Sequence, residues 1–195
     1  MKAYVNTLKR IVDLMLVAVI SLLFSWLFLV IILFYIVLFQ WPIFFSQQRI
    51  GKDNIPFVIL KFRTLAPDKS LSLIQRRFAL GSWLRFFHLD ELPQIYNIIK
   101  GEMSWVGPRP LPIEYLPFFS QAEMKRHAVK PGITGMAQVN GGNSITWKDK
   151  FEFDFYYVDN VSLLLDLKII FKTILYVFSF REDVSLNESQ FEGTL

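Results

Sequence analysis

The longest feature of the hydrophobic pattern is an uncharged run from Leu14 to Phe39 near the N-terminus. As a helix that rises about 1.5 Å per residue, this run is longer than a hydrocarbon core of roughly 30 Å. It is also too long for the apolar region of a signal peptide, and no small-residue cleavage site follows it. The pattern therefore predicts a membrane-inserted helix within residues 1–41.

Basic residues flank this run on both sides, at Lys2, Lys9 and Arg10 before it and at Arg49, Lys52, Lys61 and Arg63 after it. The positive-inside rule draws both flanks to the cytoplasm, which favours a re-entrant helix over a span. Ser21 and Ser25 can bend such a helix by bonding to its backbone. Hydropathy alone indicates a single span, and no proline lies between Leu14 and Trp41 to break the helix. Both paths therefore stay open.

Two short segments rich in β-forming residues follow, at residues 43–47 and 57–62, and the turn formers Gly51, Asp53, Asn54 and Pro56 separate them. This pattern predicts a β-hairpin. Residues 66–72 are polar and predict a loop. Residues 73–87 mix arginines with large apolar residues, which predicts a helix or helix pair, broken near Gly81, on a membrane or core surface.

Residues 90–100 have the pattern of a helix, with Asp90 as its N-cap, Pro93 in its first turn and Gly101 as its stop. The N-terminus of this helix would favour a phosphate, because its N–H groups carry partial positive charge. Ser120 and Glu123 have the spacing of a capping box and predict the start of a further short helix.

Residues 163–180 are strongly apolar, but Asp166, Lys168 and Lys172 interrupt them. Charges within the segment disfavour a second span and favour an amphipathic helix in the membrane interface. The pattern as a whole predicts a mainly α fold with a small β-hairpin. Its parts are an N-terminal flank and inserted helix at 1–41, a small globular domain at 42–180 with interfacial helices, and a polar tail at 181–195.

Composition agrees with a membrane association. The 195 residues suit one domain, yet 53% are hydrophobic and the mean hydropathy is +0.36, which is high for a soluble domain. The net charge of +4 suits an anionic membrane surface or a phosphorylated substrate, and equally a nucleic acid. No nucleic-acid-binding motif is present, so we expect no nucleic acid partner. The absence of cysteine excludes disulfides and thiol chemistry.

The candidate chemistry lies in two motifs. Asp90 and Glu91 are adjacent, and Arg109 stands between Pro108 and Pro110. One carboxylate can attack phosphorus, its neighbour can hold a metal, and a rigidly held arginine can bind phosphate oxygens. An unshifted Asp has a pKa near 3.9, so we expect Asp90 to be ionised at neutral pH.

Each motif also has an ordinary structural explanation. Acids collect at helix N-termini, and an arginine between prolines can be a rigid surface turn. Lys61 and Arg63 can simply protect the edge of a strand. His88 and His127 are assigned no function. The prediction of phosphate chemistry therefore depends on the co-occurrence of the acid pair, the arginine, the basic strand and the glycine loops after a membrane anchor.

Many ordered motifs resemble those of the bacterial sugar transferases, the monotopic phosphoglycosyl transferases. They begin with Lys9-Arg10-Ile11-Val12-Asp13 and continue at residues 42–51, 61–64, 89–94, 101–110, 130–141, 150–152, 156–160 and 165–168. The resemblance covers roughly residues 9–178. It implies transfer of a phosphosugar from a UDP-sugar to polyprenyl phosphate, with release of UMP and the start of a bacterial glycan or glycoconjugate.

The resemblance also implies the roles of individual residues. Asp90 would form a covalent phosphosugar intermediate, Asp90 and Glu91 would hold Mg²⁺, and Arg109 would stabilise phosphoryl oxygens. The remaining substrate contacts that it implies are Lys61, Arg63, Pro108, Pro110, Gln138 and Asn140. It places the enzyme at the cytoplasmic face of the bacterial inner membrane among membrane lipids, and it allows a homodimer and contacts with downstream glycosyltransferases.

The chain departs from the family pattern at two positions. Trp26 follows Ser25 where the family usually has the proline that breaks the membrane helix, and Gly142 stands where a loop arginine is usual. The lost arginine is a candidate phosphate ligand. The alternative function is therefore a catalytically impaired, membrane-anchored scaffold that recruits glycosyltransferases.

Overall fold

The apolar run forms a long helix in the computed structural model, which describes residues 4–68, 70–178, 191 and 193. Helix α1 spans Lys9–Val37 and follows a π-helical turn at Tyr4–Leu8. In the described part of the chain, it is the one helix long and apolar enough to cross a membrane. The predicted apolar helix is confirmed, and it continues without interruption through Ser25.

Both ends of α1 pack on the globular part of the protein. Val17, near its N-terminus, belongs to a core cluster with Ile59 and Ile98. Tyr35, near its C-terminus, belongs to another cluster with Phe62. The middle of the helix is open, and Leu22 is 82% exposed. An exposed apolar surface of this kind is typical of a site that contacts a membrane or another protein, and the predicted membrane insertion stays a prediction.

The predicted β-hairpin is confirmed. Strands β1 (Phe44–Ile50) and β2 (Pro56–Phe62) pair antiparallel, with Phe44 opposite Phe62. A 3₁₀ turn at Lys52–Asn54 joins them, and Asp53 and Asn54 adopt left-handed backbone angles there. Asp and Asn tolerate these angles better than most residues, which explains the turn.

The prediction for residues 73–87 was wrong in its details. Residues 73–76 form a turn, and helix α2 spans Ala79–Phe86 with Gly81 inside it rather than at a break. A Cβ atom at position 81 would lie 2.5 Å from the carbonyl oxygen of Thr64. Gly81 is therefore required by close packing of α2 on the chain after β2, and not by a helix end.

The helix predicted at residues 90–100 is divided. A left-handed His88 precedes a 3₁₀ segment at Leu89–Gln94, and the α-helical part, α3, spans Ile95–Lys100. Asp90 is not an N-cap, because it lies inside the 3₁₀ segment. Pro93 lacks an N–H group and so suits this short irregular start. Gly101 ends α3 with φ of 83°, as predicted.

A second, parallel strand pair was not predicted. Strand β3 (Ser104–Val106) pairs with β4 (Gly132–Thr134). Helices α4 (Met136–Val139), α5 (Trp147–Asp159) and α6 (Leu163–Phe178) follow. Further 3₁₀ turns lie at Ile113–Phe118, Glu123–Ala128 and Gly142–Ser144.

The predicted capping box is present, because the Ser120 N–H donates to Glu123 Oε2 at 2.7 Å and the Glu123 N–H to Ser120 Oγ at 3.3 Å.

Helix α6 is fixed to the start of α1. Asp166, 3% exposed, accepts hydrogen bonds from Lys9 at 2.5 Å, Tyr4 at 2.6 Å and Tyr157 at 2.8 Å. The charge at 166 is therefore buried and paired, while the other face of α6 exposes residues such as Leu164. The interfacial position of this helix stays a prediction.

The predicted polar tail lies largely outside the described residues. Phe191 is described, and it is buried in a cluster with Phe119 and Phe151.

Candidate active site

A cavity of about 300 Å³ lies where the end of the β-hairpin, α2, the 3₁₀ segment, the Pro-Arg-Pro turn and the Gly142 loop meet. Its basic lining residues are Arg49, Lys61, Arg63, Arg76, Arg85 and Arg109. Its carboxylates are Asp90 and Glu91. The excess of cations makes the cavity suitable for a ligand with several negative charges. Of the predicted site residues, it brings together Lys61, Arg63, Asp90, Glu91, Arg109 and Gln138.

Glu91 lies at the centre of the ion pairs in this cavity. Its Oε1 accepts from Lys61 Nζ at 2.5 Å and from Arg109 Nη1 at 3.4 Å. Burial by itself would raise the pKa of Glu91, but the adjacent Lys61 and Arg109 charges outweigh burial and lower it to about 2. Glu91 is therefore ionised at any physiological pH.

Asp90 is the more buried of the two acids, with 8% of its surface exposed. Burial raises its pKa to about 6, with Lys61 opposing the shift and the Glu91 charge adding to it. Our expectation of an unshifted carboxyl was therefore wrong. The conclusion drawn from it holds, because a pKa of about 6 leaves about nine-tenths of the group ionised at pH 7.

Two arginines hold the backbone of the Pro-Arg-Pro turn. Arg49 on β1 donates to the carbonyl oxygen of Pro110 at 3.1 Å, and Arg126 donates to that of Arg109 at 2.9 Å. Arg126 is itself fixed by a buried ion pair with Asp154 on α5, at 2.8 Å. The position of the Arg109 side chain thus depends on contacts to distant elements as well as on its flanking prolines.

The glycines near this turn permit close backbone packing between the two strands of the second sheet. A Cβ atom at Gly107 would lie 2.3 Å from the Lys130 carbonyl oxygen, and one at Gly132 would lie 2.1 Å from the Gly107 nitrogen. Any larger residue at either position would separate the strands. This packing places the Pro-Arg-Pro turn next to α4, which carries Gln138, and next to the 3₁₀ turn that begins at Gly142.

Three predicted substrate contacts lie outside the lining of this cavity. Pro108 and Pro110 are buried on either side of Arg109. The Asn140 amide donates to the Met136 carbonyl oxygen at 2.7 Å and accepts from Lys172 at 3.2 Å. In this structure these residues support the loops around the cavity, and their contact with a substrate stays a prediction.

Several lining residues were missed by the sequence analysis. Arg76, Arg85, His88 and Tyr176 line the cavity although no role was assigned to them. Arg76 and Arg85 come from a segment whose pattern indicates only surface arginines, and Tyr176 from an apolar helix. Arg49 is different, because it lies within one of the motifs that carry the family resemblance.

The residues present fit a magnesium ion. Among residues 4–68, 70–178, 191 and 193, no group of three or more His, Cys, Asp or Glu side chains comes together as a metal site. Mg²⁺ does not require such a group, since it is commonly bound by one or two carboxylates together with substrate phosphates and water. Asp90 and Glu91 supply two carboxylates that face the same cavity.

Comparison with known proteins gives a consistent result. The family model described as "Bacterial sugar transferase" matches residues 4–180. The chain is 37% identical over 188 residues to the exopolysaccharide production protein ExoY of Rhizobium meliloti, covering 85% of this chain and 83% of that protein. It is 47% identical over 138 residues to the uncharacterized sugar transferase EpsL of Bacillus subtilis, covering 68% of each.

A third relative has a name that specifies a reaction. The UDP-glucose:undecaprenyl-phosphate glucose-1-phosphate transferase of Klebsiella pneumoniae is 38% identical over 181 residues. The match covers 85% of this chain but 39% of that protein. The chain thus spans well under half of this longer relative.

Proposed function

Because the chain belongs to the bacterial sugar transferase family, we propose that it transfers a phosphosugar from a UDP-sugar to polyprenyl phosphate. The observation that carries this proposal is the placement of Asp90 beside Glu91 in a cavity lined by six cations, with the apolar helix α1 packed on the same body. A relative named for the corresponding transfer of glucose 1-phosphate supports it.

In the first step, a carboxylate oxygen of Asp90 attacks the phosphorus that bears the sugar. The bond from this phosphorus to the bridging oxygen breaks, and UMP leaves with the electron pair. The product is a phosphosugar bonded to the Asp90 carboxylate as an acyl phosphate. A nucleophile of this kind needs to be ionised, and the pKa of about 6 for Asp90 meets that condition at neutral pH.

In the second step, a phosphate oxygen of the polyprenyl phosphate attacks the same phosphorus. The bond between Asp90 and phosphorus breaks, so the lipid diphosphosugar forms and the carboxylate returns. Splitting the transfer into two displacements predicts ping-pong kinetics, because UMP can leave before the lipid acceptor reacts.

The cations around Asp90 supply most of the electrostatic stabilisation. Lys61 and Arg109 can shift from Glu91 towards phosphate oxygens, since both lie at the edge of the cavity within reach of the acid pair. A Mg²⁺ ion held by Asp90 and Glu91 would supply further positive charge for the phosphoryl oxygens. Arg109 can bind two oxygens at once through its planar guanidinium.

The proposal also includes the location of the enzyme. A polyprenyl phosphate is confined to a membrane, and α1 exposes apolar residues along its central part. The basic flanks of α1 favour the cytoplasmic face of the bacterial inner membrane. Contacts with downstream glycosyltransferases and a homodimer remain part of the same prediction.

UMP release tests the proposal directly. Purified protein in detergent or vesicles is incubated with a panel of UDP-sugars, Mg²⁺ and undecaprenyl phosphate, and UMP and the lipid product are quantified. We expect UMP from at least one donor, loss of activity with EDTA and recovery with added Mg²⁺. Intact-mass analysis with the donor alone should show the mass of a phosphosugar added to the protein.

The matched variants are Asp90→Asn and Asp53→Asn. Asp90→Asn should abolish both the adduct and UMP release while the protein stays folded, because an amide is a poor nucleophile. Asp53 is an exposed turn residue with a left-handed backbone that Asn also accepts, so Asp53→Asn should keep full activity. Near-normal turnover by Asp90→Asn contradicts the assignment. A folded wild-type protein with no UMP release from any donor would favour the scaffold alternative.

A further inference from the structure

The cavity is chemically different at two of its sides. Arg109, Gln138, Gly142 and Asn143 line it on one side and also line a small neighbouring cavity. Arg63 and Arg76 line the main cavity but not the small one, so they lie on another side. Six cations are more than one diphosphate needs. On the second side, Arg63 has so far been given only a general substrate contact, and Arg76 has been given no role.

Arg63 and Arg76 are two cations that are hydrogen-bonded to backbone carbonyl oxygens. Arg63 Nε donates to the Pro42 carbonyl oxygen at 3.0 Å, and Arg76 Nε donates to that of Ala66 at 2.7 Å. Within the described parts of the chain, neither forms an ion pair. The pKa of Asp68 is lowered by its hydrogen bonds from the Ser70 hydroxyl and N–H, at 2.7 and 2.9 Å to Oδ1, and to a smaller extent by the Arg76 charge, so Asp68 interacts with Arg76 without a direct ion pair.

The two guanidinium groups also influence one another. Burial lowers the pKa of Arg63, and the neighbouring Arg76 charge lowers it further. Two like charges held at one cavity wall repel each other unless an anion lies between them. Their other N–H groups can each form charge-assisted bonds to the same phosphate.

The Arg63 side of the cavity is next to the apolar parts of the molecule. Arg63 is held by Pro42, which directly follows the exposed Trp41 at the end of the α1 region. The Tyr35 hydroxyl on α1 donates to the Arg63 carbonyl oxygen. Phe86 of α2 also lines the cavity and is 37% exposed. A ligand that has a lipid tail can therefore approach Arg63 without leaving an apolar surface.

We propose that Arg63 and Arg76 bind the phosphate monoester of the lipid acceptor, and that the donor diphosphate occupies the side formed by Lys61, Glu91 and Arg109. This assignment rests on the proposed function. A phosphate monoester has three terminal oxygens, which two guanidinium groups can bind together. The sugar nucleotide has no lipid tail and suits the polar side that carries Gln138 and Asn143.

Steady-state kinetics of Arg76→Gln tests this assignment. In a ping-pong reaction, kcat/KM for the donor reports the first displacement, and kcat/KM for the acceptor reports the second. We expect kcat/KM for undecaprenyl phosphate to fall about tenfold or more, the loss that follows removal of a charge-assisted hydrogen bond. The value for the UDP-sugar and the adduct formed with donor alone should stay as in wild type.

Arg77→Gln is the matched control. Arg77 is the next residue in the chain, is exposed and does not line the cavity, so this variant removes the same charge from the same segment. Its acceptor kinetics should match those of wild type. A fall in donor kcat/KM for Arg76→Gln, or equal acceptor effects in both variants, contradicts the proposal.

Binding of undecaprenyl phosphate without any donor separates this proposal from the proposed function. We expect Arg76→Gln and Arg63→Gln to bind the lipid phosphate more weakly than wild type, while all three proteins bind the uncharged polyprenol equally. That result supports the acceptor site even if no donor is turned over. Equal binding of the lipid phosphate by wild type and both variants overturns it.

Anionic phospholipids offer the same phosphate chemistry and need a separate comparison. Binding of wild type and Arg76→Gln is measured on phosphatidylcholine vesicles with and without phosphatidylglycerol. We expect both proteins to bind each vesicle type equally. If Arg76→Gln loses only its preference for phosphatidylglycerol and keeps normal acceptor kinetics, the arginine pair binds lipid headgroups and the acceptor assignment is wrong.

Discussion

Arg126 and Asp154 form an ion pair in which both side chains are at least 97% buried, and Arg126 also donates a hydrogen bond to the carbonyl oxygen of Arg109. Two donors of Arg126, Nε and Nη2, bind the same Asp154 oxygen at 2.9 and 2.8 Å. This contact links α5 to the Pro-Arg-Pro turn that carries Arg109. Arg126 is thus a positioning residue for Arg109.

The first prediction concerns this pair. Removing Arg126 alone should destabilise the protein by about 3–5 kcal/mol, because a charged Asp154 would stay buried without a partner. The double variant Arg126→Met/Asp154→Leu removes both charges and should fold, yet it lacks the bond to the Arg109 carbonyl. We expect its kcat to fall about tenfold, the effect of one lost hydrogen bond. A folded double variant with a wild-type rate would show that Arg126 is only structural.

The second prediction concerns Arg109 itself, whose side chain is 38% exposed at the edge of the cavity. Arg109→Lys keeps the charge but replaces a planar fork with a single ammonium group. We expect donor kcat/KM to fall about tenfold or more, since two parallel bonds to phosphate become one. Lys125→Arg, at an exposed ion pair with Asp159, is a control for an arginine–lysine exchange and should be neutral. Full turnover by Arg109→Lys would mean that Arg109 has a structural role and does not bind the donor phosphates through its planar fork.

The third prediction concerns Gly142, where the family usually has an arginine. No heavy atom lies within 4 Å of the position that a Cβ atom would take, so the cavity has room for a side chain. Its φ of +53° is left-handed, however, so any substitution strains the backbone by about 1 kcal/mol. We expect Gly142→Arg to lower the melting temperature and the KM for the UDP-sugar together.

Gly142→Ala separates these two effects, because alanine shares the backbone strain and adds no charge. It should lower the melting temperature as much as Gly142→Arg does and leave the KM for the donor unchanged. An equal KM for both variants would remove position 142 from the phosphate site.

The fourth prediction concerns His127, which is buried beside Arg126 with its Nδ1 2.7 Å from Asn54 Oδ1. Burial, with the Arg126 charge, lowers the pKa of His127 to about 3 from an ordinary value near 6.5. At this position the unfolded chain then binds more protons than the folded one between these values, so the contribution of His127 to stability falls as pH decreases from about 6.5 to about 3. His127→Gln should reduce this slope by up to about 1.4 kcal/mol per pH unit. The free energy of unfolding of wild type and of His127→Gln, measured across pH 4–7, tests this prediction. Identical pH slopes for the two proteins would contradict the low pKa of His127.

The fifth prediction concerns the path of α1. The N-terminal part of α1 bonds to the globular part through Asp13, which accepts from Ser104 at 2.9 Å, and the C-terminal part packs there through Ile31 and Tyr35. We expect a helix whose two ends pack on the same globular part to keep both ends on one side of a membrane. We therefore expect residues near Met1 and at Lys52 to face the cytoplasm, as a re-entrant helix requires.

Cysteine labelling measures this topology without interference, because the chain has no native cysteine. The thiols of Thr7→Cys and Lys52→Cys should react only with labelling reagents that reach the cytoplasm. The thiol of Leu22→Cys, in the exposed middle of α1, should be protected from water-soluble reagents by lipid. Labelling of Thr7→Cys from the periplasm would establish a true span. The catalytic assignment would survive that result.

The fold was predictable wherever a local pattern decides the structure. The apolar run from Leu14 to Phe39 strongly favours one long apolar helix, and the turn formers between the two β-rich segments strongly favour a hairpin. The 3₁₀ segment around Asp90 was not predictable in this way, because the left-handed backbone of His88 is imposed by the packing of α2 and β2 around it. The requirement for glycine at position 81 was not predictable either, because it results from close packing against Thr64, a residue distant in the chain.

The sequence by itself determined the chemistry of the candidate site: the adjacent acids, Lys61 and Arg109 are motifs whose residue types already suit phosphate transfer. Only the tertiary structure decided which other charges join them. Arg49, Arg76 and Arg85 reach the cavity from separate elements, and the pKa of Asp90 rises because those elements exclude water from it. Burial and long-range charge pairing depend on distances between segments far apart in the chain, and a local pattern of residues does not contain those distances.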